Sequence, residues 1–299
     1  MLNIDKILNQ DRLLRATTGL NRKAFDDLLV SFESVYLSLS QKSDSSRQRR
    51  FGGGRKSHLK TIEQKLFYIL FYLKCYPTFD LAAILFDCDR SQAYRWSHKL
   101  QEVLEKTLNE KQVLPKRKIS TIQEFREYFP DVERVMIDGV ERPINRPQDK
   151  KKQKENYSGK KKRHTRKNLA VVSPEKKILQ LTPTCNGKIH DKKIHDQFDL
   201  IGGIPDMVKV QADSGFQGVQ KMYDNVFLPQ KKPRGGELTV EQKEENRELS
   251  RERVGCENAF AGVKRYYAVS SVYRNRTPEF DDKLMVTACG LWNLYLEVA

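Results

Sequence analysis

The sequence has no apolar run long enough to cross a membrane. Its most apolar stretch is LFYILFYL at residues 66–73, whereas a membrane-spanning helix needs about 20 such residues. The N-terminal segment MLNIDKILNQ also lacks the basic and then apolar order of a secretory signal peptide. These absences argue against a membrane or secreted protein, and they favour a cytoplasmic one.

The cysteines form no recognisable pattern. No two of them are spaced as Cys-x-x-Cys, and they are scattered at positions 75, 88, 185, 256 and 289. The absence of a Cys-x-x-Cys pair argues against a zinc knuckle, and five scattered cysteines do not suggest a disulfide framework. We therefore expect reduced thiols, as in a cytoplasm or nucleoid.

Acidic residues are few compared with basic ones. The 299 residues include 39 Asp and Glu against 55 Lys and Arg, which gives a net charge of +16. A surplus of this size predicts a polyanionic partner, with nucleic acid as the first candidate and an anionic membrane surface as the second. The length suggests about two domains.

The first sixty residues divide into a helical segment and a linker. Residues 1–45 are predicted to be helical, with Asn21 as the N-cap of a helix that has one apolar face. Residues 46–60 form a basic linker with three consecutive glycines. Such a segment either follows DNA phosphates or is a solvated tether.

Residues 61–115 are predicted to form a helix-turn-helix domain. The segment TFDLAAILFDCDRSQAYRWSHKL indicates a helix over 79–86, a turn at 87–89 and a second helix from 90. The turn has Asp87 in place of the usual glycine, and aspartate tolerates the left-handed conformation. An ordinary helical hairpin is the alternative. If DNA is bound, the side chains from the first turns of the second helix read the bases: Arg90, Ser91, Gln92, Tyr94 and Arg95.

Residues 130–299 are predicted to form a mixed α/β domain. Strands alternate with helices in the order three strands, helix, strand, short helix, strand, long helix, and a last helix covers about 279–297. The predicted strands lie at 133–140, 168–173, 177–182, 207–213 and 225–229. We expect a mixed sheet flanked by helices.

A second basic segment lies between the first two predicted strands. Residues 150–167 contain ten Lys or Arg and one acid. Its density of positive charge favours contact with phosphates, although a solvated hairpin tip is the alternative. The residues that we expect to contact DNA are Lys160, Lys161, Lys162 and Arg163.

Two aspartates end predicted strands, and each is soon followed by glycine. Asp138 precedes Gly139, and Asp213 precedes Ser214 and Gly215. If the strands are neighbours, the two carboxylates repel each other unless a cation lies between them. Mg²⁺ suits such a pair, because it takes one or two carboxylates together with phosphate oxygens. Acids at strand ends are otherwise caps or turn formers.

The predicted long helix offers a third acid. Glu257 lies four residues after Arg253 and seven before Lys264, so the three share one helical face. A carboxylate for metal and two cations for DNA phosphates on one stripe would complete a site for phosphoryl transfer.

Several segments together resemble a known family. In order and spacing, MIDGVERPINRP, YSGKKKRHTRK, HDKKIHD, ADSGFQG and RERVGCENAFAGVKRYY resemble the DDE transposases of bacterial insertion sequences, in the IS-five and Harbinger-like group with the DDE superfamily endonuclease domain. The segment YPTFDLAAILFDCDRSQAYRW resembles the helix-turn-helix of that group.

The resemblance implies an RNase H-like catalytic core and a function. It maps the metal-binding acids onto Asp138, Asp213 and Glu257, with two Mg²⁺ ions that Mn²⁺ can replace. Arg253, Glu257 and Lys264 also match the signature Tyr-x2-Arg-x3-Glu-x6-Lys, whose tyrosine position holds Ser250 here. The implied activity is hydrolysis at the ends of an insertion sequence and joining of the 3′-OH ends to target DNA.

The implied partners are double-stranded DNA, both inverted repeats and target, and further copies of the chain in a dimer or larger assembly. Two other functions stay open at this point. One is a DNA-binding regulator derived from a transposase, and the other is a nuclease that cuts without joining strands.

Overall fold

A computed structural model describes residues 2–42, 57–233 and 235–298. Most of the predicted linker at 46–60 therefore lies outside the described residues. The chain forms two compact units. A helical unit comprises Met1–Leu114, Val263–Ser271 and Lys283–Ala299, and an α/β unit comprises Pro115–Gly262 and Val272–Asp282.

Helices account for most of the regular structure. In chain order they are α1 (Ile4–Leu8), α2 (Asp11–Thr18), α3 (Arg22–Lys42), α4 (Ile62–Cys75), α5 (Phe79–Phe86), α6 (Arg90–Glu110), α7 (Ile122–Tyr128), α8 (Lys150–Asn156), α9 (Asp191–Phe198), α10 (Val240–Lys264), α11 (Tyr267–Ser270) and α12 (Phe280–Val298). The strands are β1 (Arg134–Pro143), β2 (Tyr157–Ser158), β3 (Arg163–Val172), β4 (Ile178–Leu181), β5 (Cys185–Asn186), β6 (Lys209–Ala212) and β7 (Val226–Phe227). None of the helices in the described part of the chain is long and apolar enough to cross a membrane.

The apolar run at 66–73 is the central helix of the helical unit. It lies in α4, whose residues Leu66 to Leu73 are all buried. The hydroxyl of Tyr68 donates to the carbonyl of Ala93 in α6 at 2.7 Å. The Tyr68 ring also meets Phe86 and Trp96 edge-on, with centroid distances of 4.8 and 5.4 Å. These contacts fix α5 and α6 against α4, because aromatic pairs bury large areas in defined orientations.

The helix-turn-helix boundaries are confirmed. Asp87 ends α5 in the left-handed conformation, with φ of 51°. Asp89 occupies the N-cap position of α6, but its side chain makes no capping hydrogen bond. Ala82 is the buried alanine of α5.

The last helix differs from prediction in its start and in its surroundings. It begins at Phe280, after Glu279 with φ of 59°, so Pro278 lies in the preceding turn. From Lys283 onward it belongs to the helical unit, whereas the predicted catalytic domain extended to 299. Buried polar contacts account for this: Thr287 accepts a 2.6 Å hydrogen bond from Gln101. The pairing of polar side chains between two helices is hard to predict from the sequence of one helix alone.

The sheet of the α/β unit is mixed. Its strand order is β2-β3-β1-β6-β7, and β4 and β5 also pair with β3. β1 is antiparallel to β3 but parallel to β6, and β6 is parallel to β7. This confirms the mixed α/β class, and the order is that expected of an RNase H-like core.

Two elements of this unit were not predicted correctly. The predicted strand at 168–173 is only the second half of β3, whose first half pairs with β1 up to Pro143. The basic segment before β3 contains a helix, α8, with Asp149 as its N-cap. Its lysines have good helix propensity, and the aspartate satisfies an amide of the first turn.

The register of β1 and β6 brings the predicted acids together. Ile137 on β1 lies opposite Ala212 on β6, and both are buried in the core of the unit. The next residue on each strand is therefore Asp138 or Asp213, at the same edge of the parallel pair. Neighbouring strands lie about 4.8 Å apart, so the two carboxylates share one small region.

Candidate active site

Each of the two aspartates accepts a hydrogen bond from a backbone amide close to it in sequence. Asp138 Oδ1 accepts a hydrogen bond from the backbone N–H of Gly139 at 2.7 Å. Asp213 Oδ1 accepts one from the N–H of Gly215 at 2.6 Å. Each carboxylate is thus held by the amide of a glycine just after it, and its second oxygen remains available for other contacts. Such hydrogen bonds orient a carboxylate before a ligand arrives.

The pKa of Asp138 is higher than that of an ordinary aspartate. Burial raises the pKa of Asp138, and the nearby charges of Asp213 and Asp191 raise it further. The Gly139 amide and Arg253 act in the opposite direction but do not outweigh burial. A cation beside the pair would relieve this cost, because an opposite charge favours the ionised form.

Helix α10 brings Arg253 and Cys256 to Asp138. Arg253 Nη2 lies 4.0 Å from Asp138 Oδ2, and the Arg253 side chain is mostly buried. Cys256 is fully buried, and its thiol pKa is raised by burial and then by the charge of Asp138, with a smaller effect of Glu257. Arg253 therefore points toward the aspartates, whereas the sequence had suggested a phosphate contact.

Glu257 follows Cys256 on α10, one turn after Arg253, and its side chain is exposed. In the described ranges, no group of three or more His, Cys, Asp or Glu side chains converges tightly enough to hold a metal ion. The structure thus brings Asp138 and Asp213 together, and it leaves Glu257 exposed on α10, outside a closed ligand set.

The remaining predicted cation of α10 belongs to the other unit. Lys264 is the last residue of the helix, is exposed and falls within the helical unit.

Two residues that sequence reasoning missed lie at the same sheet edge. Lys167, on β3, has a side chain that is 8% exposed, and its Nζ donates to Asp191 Oδ1 at 2.8 Å. Lys167 Nζ is also 3.3 Å from Glu141 Oε1. Burial would lower the pKa of Lys167, but the hydrogen bonds and charges of the two acids outweigh it and raise the pKa. The segment HDKKIHD was the only signal for Asp191.

Gly215 leaves room for two carboxylates. It lies in a 3-10 helix, Ser214–Phe216, and has no left-handed φ. A Cβ atom at this position would lie 2.7 Å from Asp213 Oδ1 and 3.2 Å from Asp191 Oδ2. Glycine is needed here because two carboxylates approach the backbone closely.

The donor set suits a hard divalent cation. The converging ligands are carboxylate oxygens, and Mg²⁺ commonly takes one or two carboxylates while water and substrate phosphates supply the rest. Asp138 and Asp213 fit this role, since they are oriented by backbone amides and repel each other without a cation.

The candidate base-reading residues lie at the start of α6. Arg90, Ser91, Tyr94 and Arg95 are exposed, and Gln92 is half-buried. Arg95 donates to Gln92 Oε1 at 3.1 Å, and the Tyr94 ring stands edge-on to Phe79 at 5.4 Å. These contacts orient the side chains on the outer face of the helix.

The second set of candidate DNA contacts is a hairpin turn. Residues 159–162 join β2 to β3, and Lys161 N–H donates to Ser158 Oγ at 3.2 Å. Lys160, Lys161, Lys162 and Arg163 are all exposed. The arrangement presents four cations on a short, anchored turn.

Comparison with known proteins gives two family matches and one relative. Residues 137–293 match the model of the DDE superfamily endonuclease, and residues 57–110 match the model of its helix-turn-helix. The chain is 29% identical over 285 residues to a probable transposase for insertion sequence element IS702 from Microchaete diplosiphon, with 95% of each chain covered. No solved structure matches the chain.

Proposed function

Because the chain belongs to the DDE superfamily endonuclease family, we propose that it is the transposase of an insertion sequence. It would bind the inverted repeats of its element, cut the phosphodiester bonds at the ends and join the 3′-OH ends to target DNA. The paired carboxylates of Asp138 on β1 and Asp213 just after β6 carry this proposal. The relative named for a transposase supports it across nearly the full length of both chains.

Each part of the site has a role in this chemistry. Asp138 and Asp213 would hold the divalent ions, Mg²⁺ or Mn²⁺, and Glu257 would complete the ligand set when DNA is bound. Two such ions supply charge neutralisation and an activated oxygen for in-line displacement at phosphorus. Arg253 would keep Asp138 ionised and in place. Hydrolysis and joining need the same geometry, so one site would serve both.

The helical unit would supply recognition. The first turns of α6 would enter the major groove, where base edges differ in their donors and acceptors. Lys160, Lys161, Lys162 and Arg163 would contact phosphates without reading sequence, and Lys264 would add a further phosphate contact. We propose assembly of a dimer or larger complex on DNA, which light scattering with and without a repeat duplex would measure.

The decisive experiment uses DNA that carries the repeats flanking the coding region. Asp138→Ala, Asp213→Ala and Glu257→Ala should each abolish cleavage and leave binding to the repeat largely intact. Glu248→Ala, an exposed acid on the same helix, is the matched control. A variant that cleaves at the wild-type rate would remove its residue from the proposed site.

Metal replacement and product analysis complete the test. Mg²⁺ or Mn²⁺ should support cleavage and Ca²⁺ only binding, because the site offers hard oxygen ligands. Robust cutting in excess EDTA would contradict a metal-dependent site. Products joined to target DNA would distinguish a transposase from a nuclease that stops after cutting.

A further inference from the structure

A buried ion pair lies near the two glycines whose amides bind the aspartates. Lys167 on β3 and Asp191 at the start of α9 are joined by a 2.8 Å hydrogen bond. Lys167 Nζ also donates to the carbonyl of Ile189 at 3.1 Å, just before the helix. Its third neighbour, Glu141, is its pairing partner on β1. The lysine thus joins β1, β3 and the start of α9.

The two oxygens of Asp191 face different glycines. A Cβ atom built on Gly139 would lie 3.4 Å from Asp191 Oδ1, and one built on Gly215 would lie 3.2 Å from Oδ2. Gly139, on β1, is the amide donor to Asp138, and Gly215, in the 3-10 helix after β6, is the donor to Asp213. One carboxylate therefore lies beside both backbone segments that hold the predicted metal ligands.

Lys167 holds Asp191 in this position. Its Nζ donates to Asp191 Oδ1 at 2.8 Å, and the Lys167 side chain is only 8% exposed. Removing one partner of a buried ion pair leaves an uncompensated charge, which is strongly unfavourable. Lys167 therefore keeps Asp191 beside Gly139 and Gly215.

We infer that Asp191, held by Lys167, is a positioning residue that sets the spacing between β1 at Gly139 and the 3-10 helix at Gly215, and so between Asp138 and Asp213. The inference rests on the proposed function, since the spacing matters only if these two aspartates share divalent ions. Asp191 acts through these two backbone segments and need not touch the ions itself.

The same helix offers a matched control pair. Lys192 Nζ is 2.7 Å from Asp196 Oδ2, a contact of similar length and the same chemistry as the buried pair. Its side chains are 34% and 43% exposed. Neither is among the nearest neighbours of Gly139 or Gly215, although Lys192 lies beside Gly218 and Asp196 also pairs with His195. Substitutions there report on the general cost of altering an ion pair in α9.

The test measures Mn²⁺ affinity of the full-length, DNA-free protein by electron paramagnetic resonance, together with kcat and KM for repeat cleavage. Asp191→Asn removes a negative charge and Lys167→Met removes a positive one. A purely electrostatic role predicts opposite effects on Mn²⁺ affinity. A positioning role predicts that both variants weaken Mn²⁺ binding and lower kcat by about 10–100-fold, the usual effect of losing a supporting partner.

Asp191→Glu keeps the charge and moves the carboxylate by one methylene. It should also weaken Mn²⁺ binding and lower kcat, with KM for DNA unchanged, whereas Asp196→Asn and Lys192→Met should behave as wild type. Thermal unfolding of each variant checks that it is folded. If Lys167→Met does not fold, Asp191→Asn still allows the test.

Wild-type Mn²⁺ affinity and kcat in Asp191→Glu would overturn the inference, and so would tighter Mn²⁺ binding in Lys167→Met. Equal losses in Asp196→Asn would assign the effect to α9 in general. If the wild-type protein binds Mn²⁺ but cuts no repeat DNA, the proposed function fails while the affinities still test the positioning role.

Discussion

At the scale of single residues, the site is built at a cost to stability. Asp138 is a half-buried acid beside two others, and burial is the main reason why its pKa is raised. A carboxyl with a raised pKa binds its proton more tightly in the folded than in the unfolded protein. Folding stability therefore falls as the pH rises from the unfolded value toward the folded one.

Asp138→Asn should accordingly stabilise the metal-free protein at neutral pH, because the amide cannot ionise. The advantage over wild type should shrink as the pH falls toward the ordinary aspartate value of 3.8, and it should be smallest well below that value, where the carboxyl is protonated in both states. Thermal unfolding in EDTA at several pH values measures this. An advantage that is equal at every pH would assign the effect to packing.

A second residue-scale prediction concerns the close approach at Gly215. In Gly215→Ala the new methyl would meet the carboxylates of Asp213 and Asp191, so both must shift. A misplacement of about 1 Å can cost about 100-fold in rate, and we expect cleavage to fall by about 10–100-fold in a folded protein. Gly159→Ala is the control, since nothing lies within 4 Å of its added Cβ. Wild-type cleavage by Gly215→Ala would mean that the carboxylates adapt freely.

At the scale of elements, the first turns of α6 bury one face in the helical unit and expose the other. Ala93 and Trp96 bury one face of its first turns, and Arg95 with Gln92 occupies the outer face. A helix held in this way can present side chains to a groove without losing its own support. The tight turn at Asp87 sets the angle between α5 and α6.

Arg95→Ala or Gln92→Ala should cost roughly 1–3 kcal/mol of affinity on the cognate repeat and little on random DNA, because contacts to base edges carry sequence information. Lys106→Ala, an exposed cation later on the same helix, is the matched control. Binding titrations on both duplexes measure the difference. Equal losses on both for Arg95→Ala would make α6 a phosphate-binding or packing element.

The features that could be predicted from the sequence depend on local signals. Asp213 follows an apolar strand as predicted, and the α5 and α6 boundaries follow from caps and a turn residue. Asp138 was also expected to end its strand, but β1 continues to Pro143, because its second half pairs with β3. The two aspartates were expected to lie side by side if their strands are neighbours, and β1 and β6 do pair.

The features that were missed depend on contacts between distant residues. Lys167 and Asp191 are 24 residues apart, and neither has a local pattern that marks it as buried. A lysine in a basic segment is normally a solvated residue, so its burial follows only from two acids on other elements. The same reason explains α12, whose polar partners lie on α6.

At the scale of the whole molecule, positive charge is the dominant property. The net charge of +16 is not spread evenly, since residues 150–167 alone contain ten Lys or Arg. Attraction to DNA depends on where cations meet phosphates, because each contact releases counterions. Total charge by itself sets solubility and steering but not the number of contacts.

Neutralising Lys160, Lys161 and Lys162 to glutamine should therefore weaken binding to repeat and random DNA alike. If all three contact phosphates, the slope of log affinity against log salt should become shallower by about 2.7, since each contact contributes about 0.9. A triple glutamine variant at Lys6, Lys23 and Lys106, all exposed in the helical unit, removes the same charge elsewhere. Titrations over a range of salt concentrations compare the two variants. A local role requires the slope to change only in the first, because the second loses charge without losing contacts. Equal changes in both would mean that the net charge of the molecule, and not the turn at residues 159–162, determines its attraction to DNA.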